Sequence, residues 1–207
     1  MINIIDYEMG NLRSVEKAFH KLGFAAGISS DPEAIAAADK VVLPGVGAFR
    51  DCIHNLRSGG FVEPLLAHVA AGKPLLGICV GMQMLLDESE EFGRHQGLGL
   101  IPGKVVRFPS GMVENGERLK VPHMGWNNIN LKKASPIFAG IQDDSFVYFV
   151  HSYHCQAENP EDVAASCTYG DVTFCASFWR GNIMATQFHP EKSQDVGLQI
   201  FKNFGNL

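Results

Sequence analysis

The chain has 207 residues, 46% of them hydrophobic and 19% charged, with a formal net charge of −5. That balance is globular and excludes a disordered chain or a coiled coil, and its acidic sign argues against a nucleic-acid binder, which carries a basic face. No apolar run nears the ~18 residues of a membrane span, Met1–Asn11 lacks the basic start and long apolar core of a signal peptide, and the scattered Cys52, Cys79, Cys155, Cys167 and Cys175 point to free thiols in a reducing, cytoplasmic setting.

The length predicts one domain over 1–207. Ile2–Ile5 reads as a short apolar strand, and Asn11 caps a helix whose Leu12, Val15, Phe19 and Leu22 share a face, with Gly23 ending it. Strands are expected at Ala25–Ser29 and Lys40–Leu43 and helices at Pro32–Ala38, Ala48–Arg57 and Phe61–Ala71. Leu75–Cys79 reads as a buried strand and Val80–Glu90 as a helix. This alternation predicts an α/β fold, an open, mixed, mostly parallel sheet covered by helices on both faces. Strands then dominate, at Val105–Phe108, Trp126–Leu131, Phe146–Val150, Val163–Thr168, Val172–Phe178 and Ile183–Gln187, so antiparallel strands are added in the second half. Gly170-Asp171 and Gly181-Asn182 read as hairpin turns, and Gln194–Phe204 as a closing helix.

Gly77-Ile78-Cys79-Val80-Gly81 carries the most chemistry. A G-x-C-x-G between a buried strand and a helix is the cysteine form of a nucleophile elbow, whose glycines permit a tight strand-to-helix turn. A helix N-terminus behind the sulfur favours thiolate, and the Val80 N–H points to the same spot as half of an oxyanion hole. The alternative is a buried strand cysteine with glycines for packing. A thiolate nucleophile needs a base and a group that orients it. His189-Pro190-Glu191 supplies both, because Pro190 holds His189 extended and residues i and i+2 of an extended segment share a face. Pro44-Gly45-Val46-Gly47 also ends a strand before a helix, and can donate a second oxyanion N–H or be a plain turn.

Gly77-x-Cys79-x-Gly81-x-Gln83, His189-Pro190-Glu191 and Pro44-Gly45-x-Gly47 together resemble the class I (triad) glutamine amidotransferases over the whole chain, which implies that family's flavodoxin-like fold. Asp6–Leu12, Leu43–Phe49, Val121–Asn127, Tyr148–Tyr153 and Gln187–Ser193 are similar to the glutaminase subunits of imidazole glycerol phosphate synthases, which work with a (β/α)8-barrel cyclase in histidine biosynthesis. The resemblance implies a Cys79-His189-Glu191 triad and an oxyanion hole of Val80 with Val46 or Gly47. Glutamine would be held by Gly47, Gln83, Glu91, His151, Ser152 and Tyr153, and the heterodimer interface would include Asn11, Met124, Trp126, Tyr148 and Lys192. No cofactor, metal, nucleic acid or membrane is implied. Glu91 also belongs to the acidic run Asp87–Glu91, which alone reads as a solvated helix face, and Met124 and Trp126 alone read as core.

Other readings carry less. His151, His154 and Cys155 lack a second ligand pair at zinc spacing, and there is no G-x-x-x-x-G-K phosphate loop. A stand-alone cysteine hydrolase would turn over fully without a partner, and a sensor thiol on the same fold would not need both His189 and Glu191. A glutaminase for another synthase, anthranilate or amino-sugar, is separated only by the Pro122–Asn127 type of segment.

Overall fold

A computed structural model of the chain describes residues 1–114 and 116–207, Glu114 by its backbone alone. The first half alternates: β1 (Ile2–Ile5), α1 (Leu12–Lys21), β2 (Ala26–Ser29), α2 (Pro32–Ala37), β3 (Lys40–Gly45), α3 (Phe49–Ser58), α4 (Val62–Ala70) and β4 (Leu75–Cys79). Local chemistry sets the helix ends. Asp31 accepts the Glu33 N–H ahead of Pro32 at the head of α2, and Gly23 takes φ +83° just past α1. Asn11 precedes α1 but does not cap it; its amide reaches Glu191 instead.

The helix expected over Val80–Glu90 stops after one turn. α5 covers Val80–Gln83, and Leu86–Ser89 is strand β5. The carbonyls of Met84, Leu85, Leu86 and Asp87 accept from the N–H groups of Leu98, Leu100, Gly99 and Gly97, so the acceptors a longer helix needs are taken. A Cβ on Gly97 would lie 2.1 Å from the Leu86 oxygen, so only glycine permits this approach. The acidic run therefore lies on a strand and the loop after it, not on a solvated helix face.

Next come β6 (His95–Gln96), β7 (Ile101–Arg107), the small β8–β9 hairpin (Val113–Glu114, Glu117–Arg118), β10 (His123–Leu131), β11 (Ser145–His151), β12 (Tyr153–Ala157), β13 (Val163–Tyr169), β14 (Val172–Arg180) and β15 (Ile183–Thr186). A 3₁₀ turn at Pro190–Lys192 leads into α6 (Gln194–Gly205). β7 and β10 start earlier than the sequence predicts, and β12 was not expected.

β2, β1, β3, β4 and β15 lie side by side and parallel. From β15 the sheet turns antiparallel through β14, β12 and β7, and continues to β5 and β6. β14 also pairs with β13, which leads to β10 and β11. Both predicted hairpin turns join antiparallel neighbours, β13 to β14 and β14 to β15. The central strands β4 and β15 are buried along their whole length, as strands covered on both faces must be. α2 packs with α4 on one side. On the other, α1 meets α6 through Phe19, whose ring centroid lies 4.7 Å from that of Phe201 and 6.3 Å from that of Phe204. Phe201→Ala empties the middle of this contact, and should lower the unfolding free energy in a denaturant titration by about 3–5 kcal/mol.

Candidate active site

β3 and β4 end together, with Gly45 opposite Cys79. Cys79 leaves its strand at φ 56° and ψ −111°, a left-handed conformation that costs a side-chain-bearing residue about 1–3 kcal/mol. Its surroundings enforce the turn. A Cβ on Gly81 would lie 1.9 Å from the Leu43 carbonyl oxygen, and one on Gly45 2.7 Å from the Gly81 nitrogen. The elbow thus packs backbone on backbone against the end of β3. With α5 one turn long, little helix dipole stands behind the sulfur. The charge partner of Cys79 is His189.

His189 follows β15, which runs beside β4 with Thr186 opposite Ile78. Its N–H donates to the Tyr148 carbonyl at 3.0 Å and its own carbonyl accepts from Ser193 Oγ at 2.7 Å. The backbone at His189 is extended, as Pro190 requires, but Glu191 lies in the 3₁₀ turn rather than on an extended segment. That turn still brings Glu191 Oε1 to 2.8 Å from His189 Nδ1, with the two side chains only 3% and 1% exposed. Asn11 donates to the same oxygen at 3.3 Å. Burial alone disfavours the imidazolium, but hydrogen bonds to the Cys79 sulfur and to Glu191, and the negative charge on both, outweigh it and push His189 up to about 10.

These residues open on a cavity of about 270 Å³ lined by every residue expected to hold glutamine or its oxyanion: Val46, Gly47, Val80, Gln83, Glu91, His151, Ser152 and Tyr153. Gln83 donates to the Tyr153 carbonyl and to Gln187 Oε1, each at 3.1 Å, so both its amide protons are committed. Glu91 Oε2 accepts the N–H of Phe49, the first residue of α3, at 2.6 Å. Burial raises its carboxyl against that hydrogen bond. His151 Nδ1 lies 2.8 Å from the Tyr153 carbonyl oxygen. The loop after β3 is tied from beneath: the Tyr7 hydroxyl donates to the Pro44 carbonyl at 2.5 Å, and the Cys52 thiol to that of Val46 at 3.3 Å.

Of the expected interface residues, Lys192 also lines the cavity and its Nζ sits 5.6 Å over the Tyr148 ring. Met124 and Trp126 are 66% and 46% exposed, so neither is core. Trp126 stands opposite Tyr148 across β10 and β11, with ring centroids 6.1 Å apart. Asn11 bonds Glu191, the residue before Lys192. Sequence reasoning missed Gln187, whose amide donates to the Cys79 sulfur at 3.8 Å, and the supports Tyr7, Cys52 and His123. A polar residue closing an apolar strand was the available signal for Gln187. Among the described residues no cluster of His, Cys, Asp or Glu is arranged to hold a metal, no helix is long and apolar enough to cross a membrane, and all five cysteines are free and buried.

A family model, Glutamine amidotransferase class-I, matches residues 3–206. The chain belongs to the class I glutamine amidotransferases. Among relatives of this amidotransferase, the protein named imidazole glycerol phosphate synthase subunit HisH from Syntrophotalea carbinolica is 62% identical over 207 residues, covering 100% of both chains. Its namesake from Geobacter sulfurreducens is 61% identical, covering 100% of this chain and 98% of that one. PurLQS from Thermotoga maritima shares the fold, with a TM-score of 0.76 at 17% identity over 99% of this chain and 97% of that one.

Buried neutral histidines give this class I glutamine amidotransferase a pH signature. Burial lowers His123 to about 4 and His151 to about 3, and lowers His68 and His154 as well. Unfolded histidine titrates near ~6.5, so below that pH the unfolded chain binds more protons and stability falls. His189, raised above that value, is protonated in both states there and leaves the slope unchanged. The denaturant midpoint should therefore drop as the pH falls from about 6.5 to about 5. A flat midpoint over that window would contradict the assignment of these rings as neutral.

Proposed function

We propose that this chain is the glutaminase subunit of an imidazole glycerol phosphate synthase. It hydrolyses glutamine to glutamate and ammonia. The ammonia passes to a (β/α)8-barrel cyclase, which makes imidazole glycerol phosphate and an aminoimidazole carboxamide ribotide from a phosphoribulosyl nucleotide in cytoplasmic histidine biosynthesis. The observation that carries the reading is the buried line from Cys79 through His189 to Glu191, open to a cavity at the sulfur end.

In this reading His189 already holds the proton given up by Cys79, and the thiolate attacks the carboxamide carbon of glutamine. His189 passes that proton to the nitrogen as the C–N bond breaks. Ammonia leaves and a γ-glutamyl thioester remains. His189 then takes a proton from water, the hydroxide adds, the C–S bond breaks, and glutamate departs as the thiolate is left beside protonated His189. Glu191 orients the ring and stabilises its charge. The Val80 N–H and an N–H of the Val46-Gly47 loop face the oxyanion, each worth about 3–4 kcal/mol in comparable sites. The Cys52 bond to the Val46 carbonyl supports this role for Gly47, because a trans peptide then turns its N–H to the opposite side. With its amide protons committed, Gln83 offers the substrate its side-chain oxygen. Glu91 meets the substrate ammonium, and the His151–Tyr153 segment its carboxylate.

The cyclase covers the outward face of β10 and β11, where Met124, Trp126 and Tyr148 are joined by Phe146, which is 58% exposed and lies in line with them. Tyr148 also holds His189 through its carbonyl, so the docked face and the catalytic base share a strand.

Glutamate release should be measured with the chain alone, with the cyclase, and with the cyclase plus its nucleotide. Partner and nucleotide should stimulate it, and Cys79→Ala should abolish it in every state, by about a thousandfold or more. Full activity without a partner would point to a stand-alone hydrolase instead. Trp126→Ala should weaken cyclase binding by about 30-fold, the scale of an interface hot spot, with the fold unchanged.

A further inference from the structure

Behind the cavity wall, a row of side chains has its hydrogen-bond direction fixed from one end. The Tyr153 carbonyl can only accept, so His151 Nδ1, 2.8 Å away, carries the proton. His151 Nε2 is then an acceptor, and His123 Nδ1, at 3.2 Å, must be the donor. That leaves His123 Nε2 as an acceptor for the Asn127 amide, at 3.3 Å, whose nitrogen also donates to the Thr168 carbonyl at 2.9 Å. His123 cannot easily swing out of the row. Its ring is stacked between Tyr169, centroid 4.1 Å away, and Phe149, 4.9 Å away. Beyond the row, the Tyr153 carbonyl also holds Gln83, which holds Gln187, which donates to the Cys79 sulfur.

We propose that His123 is a positioning residue for the glutamine site: its Nδ1–H fixes His151 in the matching tautomer, and His151 in turn fixes the Tyr153 carbonyl on which Gln83 hangs. The effect on glutamine rests on the glutaminase reading of the cavity, whereas the tautomers do not. Without a donor at His123, the Nε2 of His151 becomes a buried acceptor with no partner. The ring can escape by moving its proton to Nε2, but it then loses Tyr153. Glutamine binding suffers before turnover does, because neither histidine touches the reacting atoms.

The test uses the full chain with its cyclase. His123→Phe removes the donor and keeps a flat ring, while His123→Asn places an amide near the position of Nδ1. His123→Phe should raise the KM for glutamine about tenfold, the scale of one orphaned buried acceptor, and leave kcat within about threefold. His123→Asn should recover most of the loss. Long-range ¹H–¹⁵N spectra of the unaltered protein should show both His123 and His151 neutral and protonated at Nδ1. An unchanged KM in a folded His123→Phe variant, or either ring protonated at Nε2, overturns the proposal. If that variant does not fold, the tautomers decide alone. If the unaltered complex releases no glutamate, the glutaminase reading falls and the tautomers still decide this one.

Discussion

Everything at the site depends on a backbone-to-backbone contact between the turn at Cys79 and the end of β3. Gly81 lies where any side chain would strike the Leu43 carbonyl, and Gly45 lies against the Gly81 nitrogen. These contacts hold Cys79 in a conformation it would not adopt alone. They also bring the Val46-Gly47 loop beside the sulfur. The proposed nucleophile and the peptides proposed to stabilise the oxyanion are thus set by the same packing, and neither can drift from the other.

The site sits where the two halves of the sheet meet. The parallel half ends at its carboxyl edge in Cys79, the Val46-Gly47 loop and His189. The antiparallel half supplies the opposite wall, His151–Tyr153, and the exposed face beyond it. His189 belongs to both, because it follows β15 yet is held through its N–H by Tyr148 of β11. A load on the exposed face therefore reaches His189, the proposed base, through one strand, without any intervening loop.

Much of this was legible in the sequence. Apolar runs broken by glycine and proline marked β1–β4 and their helices, and the glycine frame of Cys79 marked the elbow. The readings that failed did so where distant residues intervene. Val80–Glu90 has a helical pattern, but residues 97–101 take its carbonyls. Tyr153–Ala157 shows no clean alternation, and becomes a strand because β7 and β14 flank it. Glu191 was paired with His189 for the wrong local reason, since a 3₁₀ turn rather than an extended segment makes the contact. Gln187 showed only as a polar residue closing an apolar strand, and His123 gave no pattern. Their importance lies in single hydrogen bonds to residues far away in sequence.

The position of β15 has a consequence for how the protein comes into being. It is the last strand along the chain, yet it lies between β4 and β14, where the two halves join. During synthesis the first half can pair its strands early, with Cys79 already in the growing chain. The proposed base, His189, arrives about a hundred residues later, a separation that makes pairing slow. Until β15 slots into the gap, the thiol has no imidazole beside it and the cavity lacks a side. The proposed chemistry is thus withheld from unfinished chains by the order of the strands alone.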